Sequence, residues 1–171
     1  SFGTHINSSK LKADIERIEY KEITGNRFHF LMFDPEKSVG VLEESGIKYD
    51  TSLCFSEQVG FRRSTCFPFY LYNLAKDSIS PVIEIPLIIM DATLASSKYL
   101  GVSQHVSLPL IYSLIDEIRK FEGVFTILWH NTFFSEYKYT GWKDVYISTL
   151  DYCKKNNGLL TTGKFIYEKI K

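Results

Sequence analysis

The stretch Val-Ile-Glu-Ile-Pro-Leu-Ile-Ile-Met, residues 82–90, is the most apolar in the chain. A nearly all-apolar run of this length is typical of a strand that is covered on both faces, as in a parallel sheet. Pro86 indicates a bulge or an edge within that strand, because proline has no N–H to donate. The run is far shorter than the ~20 apolar residues that span a bilayer, so we expect no membrane span.

Strand patterns and helix patterns alternate on both sides of this run. Helices are predicted from residues 7–9 onward, from Asp34-Pro35 to Gly46, from Ser107 to Gly123, over residues 142–155, and after Thr162. Further strands are predicted at residues 1–6, 27–33, 47–53, 124–130 and 159–162. Residues 54–80 break the pattern and are expected to form a long irregular insertion. Strands that are each followed by a helix predict one α/β domain over residues 1–171, with a parallel sheet that is either open or closed into a barrel.

Charge and cysteine content exclude several classes of protein. Twenty Lys and Arg residues balance twenty Asp and Glu residues, so the positive field that nucleic acid requires is absent and a neutral ligand is favoured. The three cysteines, Cys54, Cys66 and Cys153, include no C-x-x-C pair, which fits neither a zinc knuckle nor a disulfide framework. Thiols outside disulfides favour a reducing compartment, so we expect a cytoplasmic location, with the cell envelope as the alternative.

Polar residues at the ends of predicted strands are the first candidates for function, because ligands of parallel α/β folds bind beyond the carboxyl ends of the strands. The residues that meet this condition are His5, Arg27, His29, Asp50 and His130. Together they could bind a metal and carry general acid or base catalysis. Each also has an ordinary structural interpretation: a hydrogen-bonded histidine, a solvated arginine, ring packing beside Phe28 and Phe30, or a turn aspartate.

The loop of residues 60–70 is unusually rich in aromatic residues. Phe61, Phe67, Phe69 and Tyr70 could stack against sugar rings while Arg62 bonds sugar hydroxyls, which would form a glycan-binding wall. The same aromatic residues could equally form a satellite core beneath a long loop. The sequence leaves both interpretations open.

Short motifs occur in a fixed order along nearly the whole chain. They are Gly3-Thr4-His5, residues 27–31 (RFHFL), residues 46–52 (GIKYDTS), Gly60-Phe61-Arg62 through Pro68-Phe69, Glu84-Ile85-Pro86 and Leu128-Trp129-His130. In order and spacing these motifs resemble the polysaccharide-deacetylase (NodB-like) family. The resemblance implies a distorted barrel of about seven strand-helix units.

The resemblance also implies an activity, which is the removal of acetyl groups from a sugar polymer. In that family a divalent metal, usually zinc, is held by one Asp and two His beside a second Asp that acts as base. By position, His5 matches a metal ligand, Arg27 the arginine that orients the base, Asp50 the acidic residue after the next strand, and His130 the histidine that protonates the leaving group. We place His29, Arg62, Phe69 and Trp129 with the substrate, an acetylated polysaccharide or oligosaccharide.

Two departures from the family pattern lower the expected activity. The family's Asp-Asp pair belongs to a strand before His5, so we expect an incomplete (β/α)7-type barrel that lacks this first strand. The second metal histidine would fall at Ser9, and a serine hydroxyl is a poor zinc ligand. We therefore expect this chain to be inactive as a deacetylase and to bind zinc weakly or not at all.

The departures leave a second interpretation open. The chain could be a non-catalytic carbohydrate-binding or glycan-assembly domain that keeps the fold. An uncovered sheet edge near the N-terminus would also favour pairing with another copy of the chain.

Overall fold

The structure, a computed structural model, describes residues 7–18 and 22–170. Its contacts divide the chain into two compact units. The first unit comprises Ser1–Leu53, Pro68–Ile85 and Thr162–Lys171, and the second comprises Cys54–Phe67 and Pro86–Thr161. The strand predicted at residues 1–6 lies outside the described residues, and the single domain over residues 1–171 stays a prediction.

The described residues form six helices and six strands, with runs of consecutive strands and of consecutive helices along the chain. The helices are α1 (Ser8–Glu16), α2 (Ser38–Glu44), α3 (Asp91–Ala95), α4 (Gln104–Lys120), α5 (Trp142–Lys155) and α6 (Gly163–Ile170). The strands are β1 (Gly25–Asn26), β2 (Tyr49–Asp50), β3 (Phe69–Asn73), β4 (Ser78–Glu84), β5 (Ile89–Met90) and β6 (Ile127–Leu128). Two 3-10 turns occupy His29–Leu31 and Asn131–Phe134. Over the described residues, no helix combines the length and the apolar character needed to cross a membrane.

The first unit contains a four-stranded sheet in the order β1-β2-β4-β3. Strands β1, β2 and β4 run parallel, and β3 pairs antiparallel with β4 as a hairpin. Helix α1 begins where Asn7 Oδ1 accepts a hydrogen bond from Ser9 N at 2.8 Å, which satisfies one of the free amides of the first turn. The core of this unit consists of Val39, Leu42, Ile47, Leu53, Leu71 and Val82.

The second unit is built around the parallel pair β5 and β6 and the two long helices α4 and α5. Ser103 caps α4 by accepting a hydrogen bond from the amide of Val106. Apolar residues spaced three and four apart along α4 and α5 face one another, as expected of amphipathic helices. The buried members of this core are Ile89, Leu94, Ile111, Ile115, Phe133, Trp142, Val145 and Cys153.

The structure confirms a mixed α/β fold with parallel strands, and α5 has the bounds that the sequence predicts. The run of residues 82–90 forms two strands rather than one, because Pro86 interrupts the ladder between Glu84 and Ile89. The insertion predicted at residues 54–80 is wrong in part, since it contains β3 and the start of β4. The strands of the described residues form a four-stranded sheet and a two-stranded sheet and no closed barrel.

Two predicted strands are absent from the described residues. Residues 27–33 turn instead of extending, because Phe30 and Leu31 adopt positive φ angles of 56° and 53°. Residues 159–162 form no strand, although Thr162 Oγ1 does accept a hydrogen bond from Phe165 N at the start of α6, as predicted.

The ring of Tyr49 lies between two glycines of the first unit. A Cβ atom at Gly25 would lie 2.1 Å from Tyr49 Cζ, and one at Gly163 would lie 2.7 Å from Tyr49 Cε2. The ring also stacks on Tyr167 of α6, with the two centroids 6.0 Å apart. The absence of a side chain at both glycines therefore allows α6 to pack on β2.

Gly25→Ala is expected to destabilise the first unit by about 1–3 kcal/mol, because the new methyl group must displace a packed aromatic ring. Gly40→Ala is the matched control, since a Cβ at Gly40 meets nothing within 4 Å and alanine favours the helix by up to about 1 kcal/mol. Urea unfolding followed by far-UV circular dichroism measures both. Equal midpoints for the two variants would contradict the tight packing around Tyr49.

Candidate functional site

The parallel pairing of β5 and β6 brings an aspartate and a histidine together in the second unit. Ile89 pairs with Ile127 and Met90 with Leu128. The residue after β5 is Asp91, and His130 follows two residues after β6. The carboxyl ends of two parallel strands therefore place both side chains at one edge, which is where α/β folds bind their ligands.

The Asp91 carboxylate holds His130 through both of its oxygens. His130 Nδ1 lies 2.7 Å from Asp91 Oδ1, and the backbone amide of His130 donates to Asp91 Oδ2. The amide of Ala92 donates to Asp91 Oδ1 at 2.5 Å. Asp91 has no exposed surface, whereas the imidazole of His130 is 47% exposed. A buried carboxylate thus fixes the orientation of a ring that solvent and ligands can reach.

The hydrogen bonds of this dyad determine which ring nitrogen is available. An ionised carboxylate only accepts hydrogen bonds, so we assign the proton of the neutral ring to Nδ1, which leaves Nε2 free to exchange a proton. Burial raises the pKa of Asp91, and the hydrogen bonds from His130 and Ala92 oppose that rise. The arrangement is the one in which a carboxylate positions a histidine for general acid or base catalysis.

Aromatic residues pack next to His130: its ring centroid lies 6.4 Å from that of Phe133, and Trp129 precedes it in the chain. The ring of Trp129 contacts Tyr146, Trp142 and Phe133, with centroid distances of 5.6, 6.2 and 6.4 Å. Its Nε1 is buried and has no hydrogen-bond partner among the described residues. Trp129 therefore packs within the second unit, and its predicted role in substrate binding stays a prediction.

A second polar cluster lies in the first unit, where β2 and β4 pair Asp50 with Glu84. Neither residue has exposed surface. Asp50 Oδ1 accepts from Asn26 Nδ2 at 2.6 Å and Oδ2 from Ser52 N at 3.0 Å. Glu84 Oε1 accepts from Leu53 N at 2.8 Å, while its Oε2 is buried without a partner. Two carboxyl groups are thus enclosed at adjacent strand ends.

Ionisation of both Asp50 and Glu84 would cost much free energy, because neither carboxyl group has exposed surface and two like charges would lie close together. Burial, the charge of Asp50 and a hydrogen bond with Asp50 raise the pKa of Glu84 to about 9, against the opposing bond from Leu53. Burial also raises the pKa of Asp50. Glu84 therefore carries a proton near neutral pH, and this proton allows the Glu84 carboxyl group to donate in its hydrogen bond with Asp50.

Arg27 belongs to the same cluster as Asp50. Its Nε donates to Thr51 Oγ1 at 2.8 Å and to the Thr51 carbonyl at 3.2 Å, and the next amide, of Phe28, donates to Ser52 Oγ at 2.8 Å. The structure thus brings Arg27 and Asp50 together within the first unit, whereas His130 lies in the second unit. Because Asp50 is enclosed, its contacts in this structure hold strand ends in place.

The other predicted site residues lie in varied surroundings. His29 is exposed, and its ring centroid lies 4.1 Å from that of Phe30. Arg62 Nη1 donates to the carbonyl of Cys54 at 2.9 Å. Phe69 packs against the core of the first unit. His5 lies outside the described residues, and the catalytic and binding roles of all these residues stay predictions.

Two of the loop aromatics are core residues. Phe61 packs against Cys66, Ile88 and Ile118 in the second unit, and Phe69 packs in the first. Phe67 and Tyr70 are 46% and 56% exposed. Phe61 and Phe69 therefore contribute to packing, and both the satellite-core and the glycan-wall interpretations of the loop stay predictions.

The described residues do not fit a zinc ion. No group of three His, Cys, Asp or Glu side chains within residues 7–18 and 22–170 could hold a metal. Ser9, at which the sequence resemblance predicts the second metal ligand, has a hydroxyl, which is a poor zinc ligand. We therefore assign no chemical step to a metal.

Sequence reasoning missed Asp91 and Glu84. Asp91 directly follows the most apolar run in the chain, so the strand-end condition that selected His130 also applies to it. Glu84 lies inside that run, and its partner Asp50 is identified only by the strand register. No protein-family model, curated protein or solved structure matches this chain.

Proposed function

We propose that this chain is a polysaccharide-deacetylase-like hydrolase domain for an acetylated glycan, inactive by itself, with the fold of an incomplete (β/α)7-type barrel. His130 is the proton-transferring residue, and Asp91 positions it. The observation that carries the proposal is a half-exposed imidazole held by a buried carboxylate at the carboxyl ends of two parallel strands. Motif order along the chain supports the choice of family.

Proton transfer at His130 Nε2 suits the cleavage of an acetyl group. When the ring is protonated, Nε2 donates to the departing sugar nitrogen or oxygen, and when it is neutral Nε2 accepts a proton from a hydroxyl or water. Asp91 fixes the orientation of the ring, because it accepts from the ring and from the adjacent backbone amide. In the resembled family a divalent metal, usually zinc, activates the water.

The neutral balance of charges supports an uncharged substrate. With 20 basic and 20 acidic residues, the chain has no net charge to attract a polyanion. All three cysteines are buried thiols outside any disulfide, which fits the proposed cytoplasmic location. Pairing with another copy through the edge strand β1 is also a proposal, and light scattering on the purified chain tests it.

The proposed function is tested by adding N-acetylchitotetraose to the 15N-labelled chain and following the imidazole of His130 and the indole of Trp129 by NMR. We expect both to shift, and the fully deacetylated tetramer to bind more weakly because it lacks the acetyl group that the site recognises. Asp116→Asn is the control, since this aspartate of α4 is 44% exposed and bonds Tyr152 instead. Equal binding of both sugars without any shift at His130 would refute a deacetylase-like site.

The chain as it stands is expected to release no acetate from acetylated chitooligosaccharides and to bind zinc weakly or not at all. The reason is that only one residue, His5, matches a metal ligand of the family. Ser9 occupies the position of the second metal histidine, and its hydroxyl is a poor zinc ligand. Acetate assays with and without zinc, and calorimetric zinc titration, measure both quantities. Turnover above that of a His130→Gln variant would show the expectation to be wrong.

The alternative, a non-catalytic carbohydrate-binding domain, is favoured by one feature of the first unit. Tyr70 and Tyr72 of β3 are 56% and 46% exposed, and residues two apart on a strand share a face. A strip of two rings could stack on successive sugars. Under this alternative the sugar shifts the tyrosine rings of β3 and leaves His130 unperturbed.

A further inference from the structure

The chain immediately after His130 forms a short turn in which the ring of Phe133 is buried and the ring of Phe134 is partly exposed. His130 precedes the 3-10 turn Asn131–Phe134, and its carbonyl accepts a hydrogen bond from Phe133 N at 3.0 Å. Phe133 is buried, and its ring stacks on Tyr139 at 3.9 Å and meets Trp142 edge-on at 5.8 Å. The buried ring anchors the turn, so the position of its neighbour Phe134 is fixed relative to His130.

Phe134 ends a series of ring contacts that leads through Tyr146 to Trp129, the residue before His130. The side chain of Phe134 is 40% exposed. Its ring meets Tyr146 edge-on, with centroids 5.2 Å apart and planes 77° apart. Tyr146 in turn lies 5.6 Å from Trp129, the residue before His130. Contacts of this geometry favour a defined position for each ring, so the contact with Tyr146 orients the exposed ring of Phe134.

The polar groups of the turn are uncharged. Asn131 and Thr132 are both exposed, and their amide and hydroxyl groups can donate and accept hydrogen bonds. The four residues of the turn carry no charge. An aromatic face bordered by neutral hydrogen-bonding groups suits the C–H face and hydroxyls of a pyranose ring, whereas an anionic ligand would need basic side chains.

We propose that Phe134 and Tyr146, with Asn131 and Thr132 at their side, form a subsite for a neutral pyranose ring next to the sugar whose acetyl group faces His130. This inference rests on the proposed function, and it names the residues that would contact the neighbouring sugar. A substrate longer than one sugar is then favoured over a single acetylated sugar, because only the longer one reaches both positions.

The test compares Phe134→Ala with Phe134→Tyr and Phe121→Ala. Phe121 is a matched control, since it is also an exposed phenylalanine of the second unit and lies at the C-terminus of α4. We expect Phe134→Ala to weaken the binding of N-acetylchitotetraose by about tenfold and to leave the binding of N-acetylglucosamine unchanged. Phe134→Tyr keeps the ring and should retain the affinity for the tetramer, as should Phe121→Ala.

The outcomes separate this subsite from the proposed function. If the tetramer shifts His130 but Phe134→Ala binds it as tightly as the unaltered chain does, the subsite is refuted and the function stands. If Phe134→Ala weakens acetylated and deacetylated tetramers equally while His130 does not respond, the subsite stands and the deacetylase-like function fails. Absence of any binding of the tetramer to the unaltered chain refutes both.

Discussion

Raising the pH from about 5 to about 9 is expected to weaken the first unit progressively, and Glu84→Gln is expected to remove most of that loss. Burial and the neighbouring Asp50 carboxylate raise the pKa of Glu84 to about 9. The folded protein therefore keeps a proton that the unfolded chain releases above its ordinary pKa of about 4.3. The substituted glutamine would be neutral at every pH and could still donate to Asp50 and accept from Leu53.

The direction of this effect follows from the number of protons bound. Between the ordinary carboxyl pKa and about 9, the folded state holds more protons on Glu84 than the unfolded state does. Stability therefore falls as pH rises, by at most about 1.4 kcal/mol per pH unit for one proton. The contribution is fully present below the ordinary pKa, and it is lost once pH exceeds the raised value.

Urea unfolding at a series of pH values measures the loss, and hydrogen exchange assigns it to this sheet. The amides of Ile83 and Ile85 donate to the carbonyls of Lys48 and Asp50 at 3.0 and 2.9 Å, so their exchange reports on the β2–β4 pairing. An alkaline loss of the same size in Glu84→Gln would show that the proton is held elsewhere.

Glu43→Gln is the matched control, because it makes the same substitution in the same unit at a carboxyl group whose pKa is shifted in the opposite direction. Burial tends to raise the pKa of Glu43, but hydrogen bonds from Lys76, Ser80 and Asn73 outweigh it and hold that pKa below its ordinary value. Ionised Glu43 therefore stabilises the folded state above the ordinary pKa of a glutamate, and this stabilisation is lost as the pH falls through the lowered pKa. Glu43→Gln should therefore leave the alkaline loss unchanged.

Asp50→Ala tests the same pair by a different route. Removal of the carboxylate leaves Asn26 Nδ2, Ser52 N and the proton of Glu84 without their acceptor. At about 1–3 kcal/mol for each of the three groups left unpaired, the expected loss is about 3–9 kcal/mol. Stability close to that of the unaltered chain would mean that the enclosed pair contributes nothing to the sheet.

Local patterns in the sequence predict five of the six helices in the described residues, but they predict neither α3 (Asp91–Ala95) nor the ends of the strands. Apolar residues at helical spacing and a capping residue are local signals, and they identify α5 to the residue. Residues 27–33 have the composition of a strand, yet the structure turns at Phe30, whose side chain is 78% exposed. Bulky aromatic content alone does not distinguish a strand from a turn that carries aromatic side chains.

The candidate sites depend on register, which no local pattern encodes. His130 is predicted from its position after an apolar run, and Asp91 has the same kind of position. Their contact, and the contact of Asp50 with Glu84, requires the pairing of strands that lie more than 30 residues apart in the chain. Polar residues at strand ends can therefore be proposed from sequence, while their partners are found only in the fold.

Replacing Asp91 is expected to destabilise the second unit strongly and to change the protonation of the His130 ring. Asp91→Ala removes the acceptor for the amides of Ala92 and His130 and for His130 Nδ1. At about 1–3 kcal/mol for each of the two backbone donors left unpaired, we expect a loss of about 2–6 kcal/mol. Both tryptophans, Trp129 and Trp142, belong to the second unit, so urea unfolding followed by tryptophan fluorescence measures this unit selectively.

Asp91→Asn tests whether Asp91 positions the His130 ring, because it changes the hydrogen bonds while it keeps the size of the side chain. An amide has one accepting oxygen, so it cannot accept from the backbone amides of Ala92 and His130 on two different atoms as the carboxylate does. We expect a smaller loss of about 1–3 kcal/mol. With its NH2 group toward the ring, the substituted asparagine would donate to Nδ1 and move the proton of the neutral imidazole to Nε2, which leaves no free base there.

The tautomer is read from the 15N shifts of the two ring nitrogens of His130, with His105, an exposed histidine of α4, as an internal reference. Asp116→Asn should change neither the unfolding free energy by more than about 1 kcal/mol nor the tautomer, because its carboxylate is partly exposed. If Asp91→Asn leaves the proton on Nδ1, the carboxylate does not set the tautomer, and His130 must then be oriented by its backbone alone. If the tautomer moves while the fold persists, Asp91 acts on the chemistry of the ring as well as on stability, which is the behaviour a positioning residue requires.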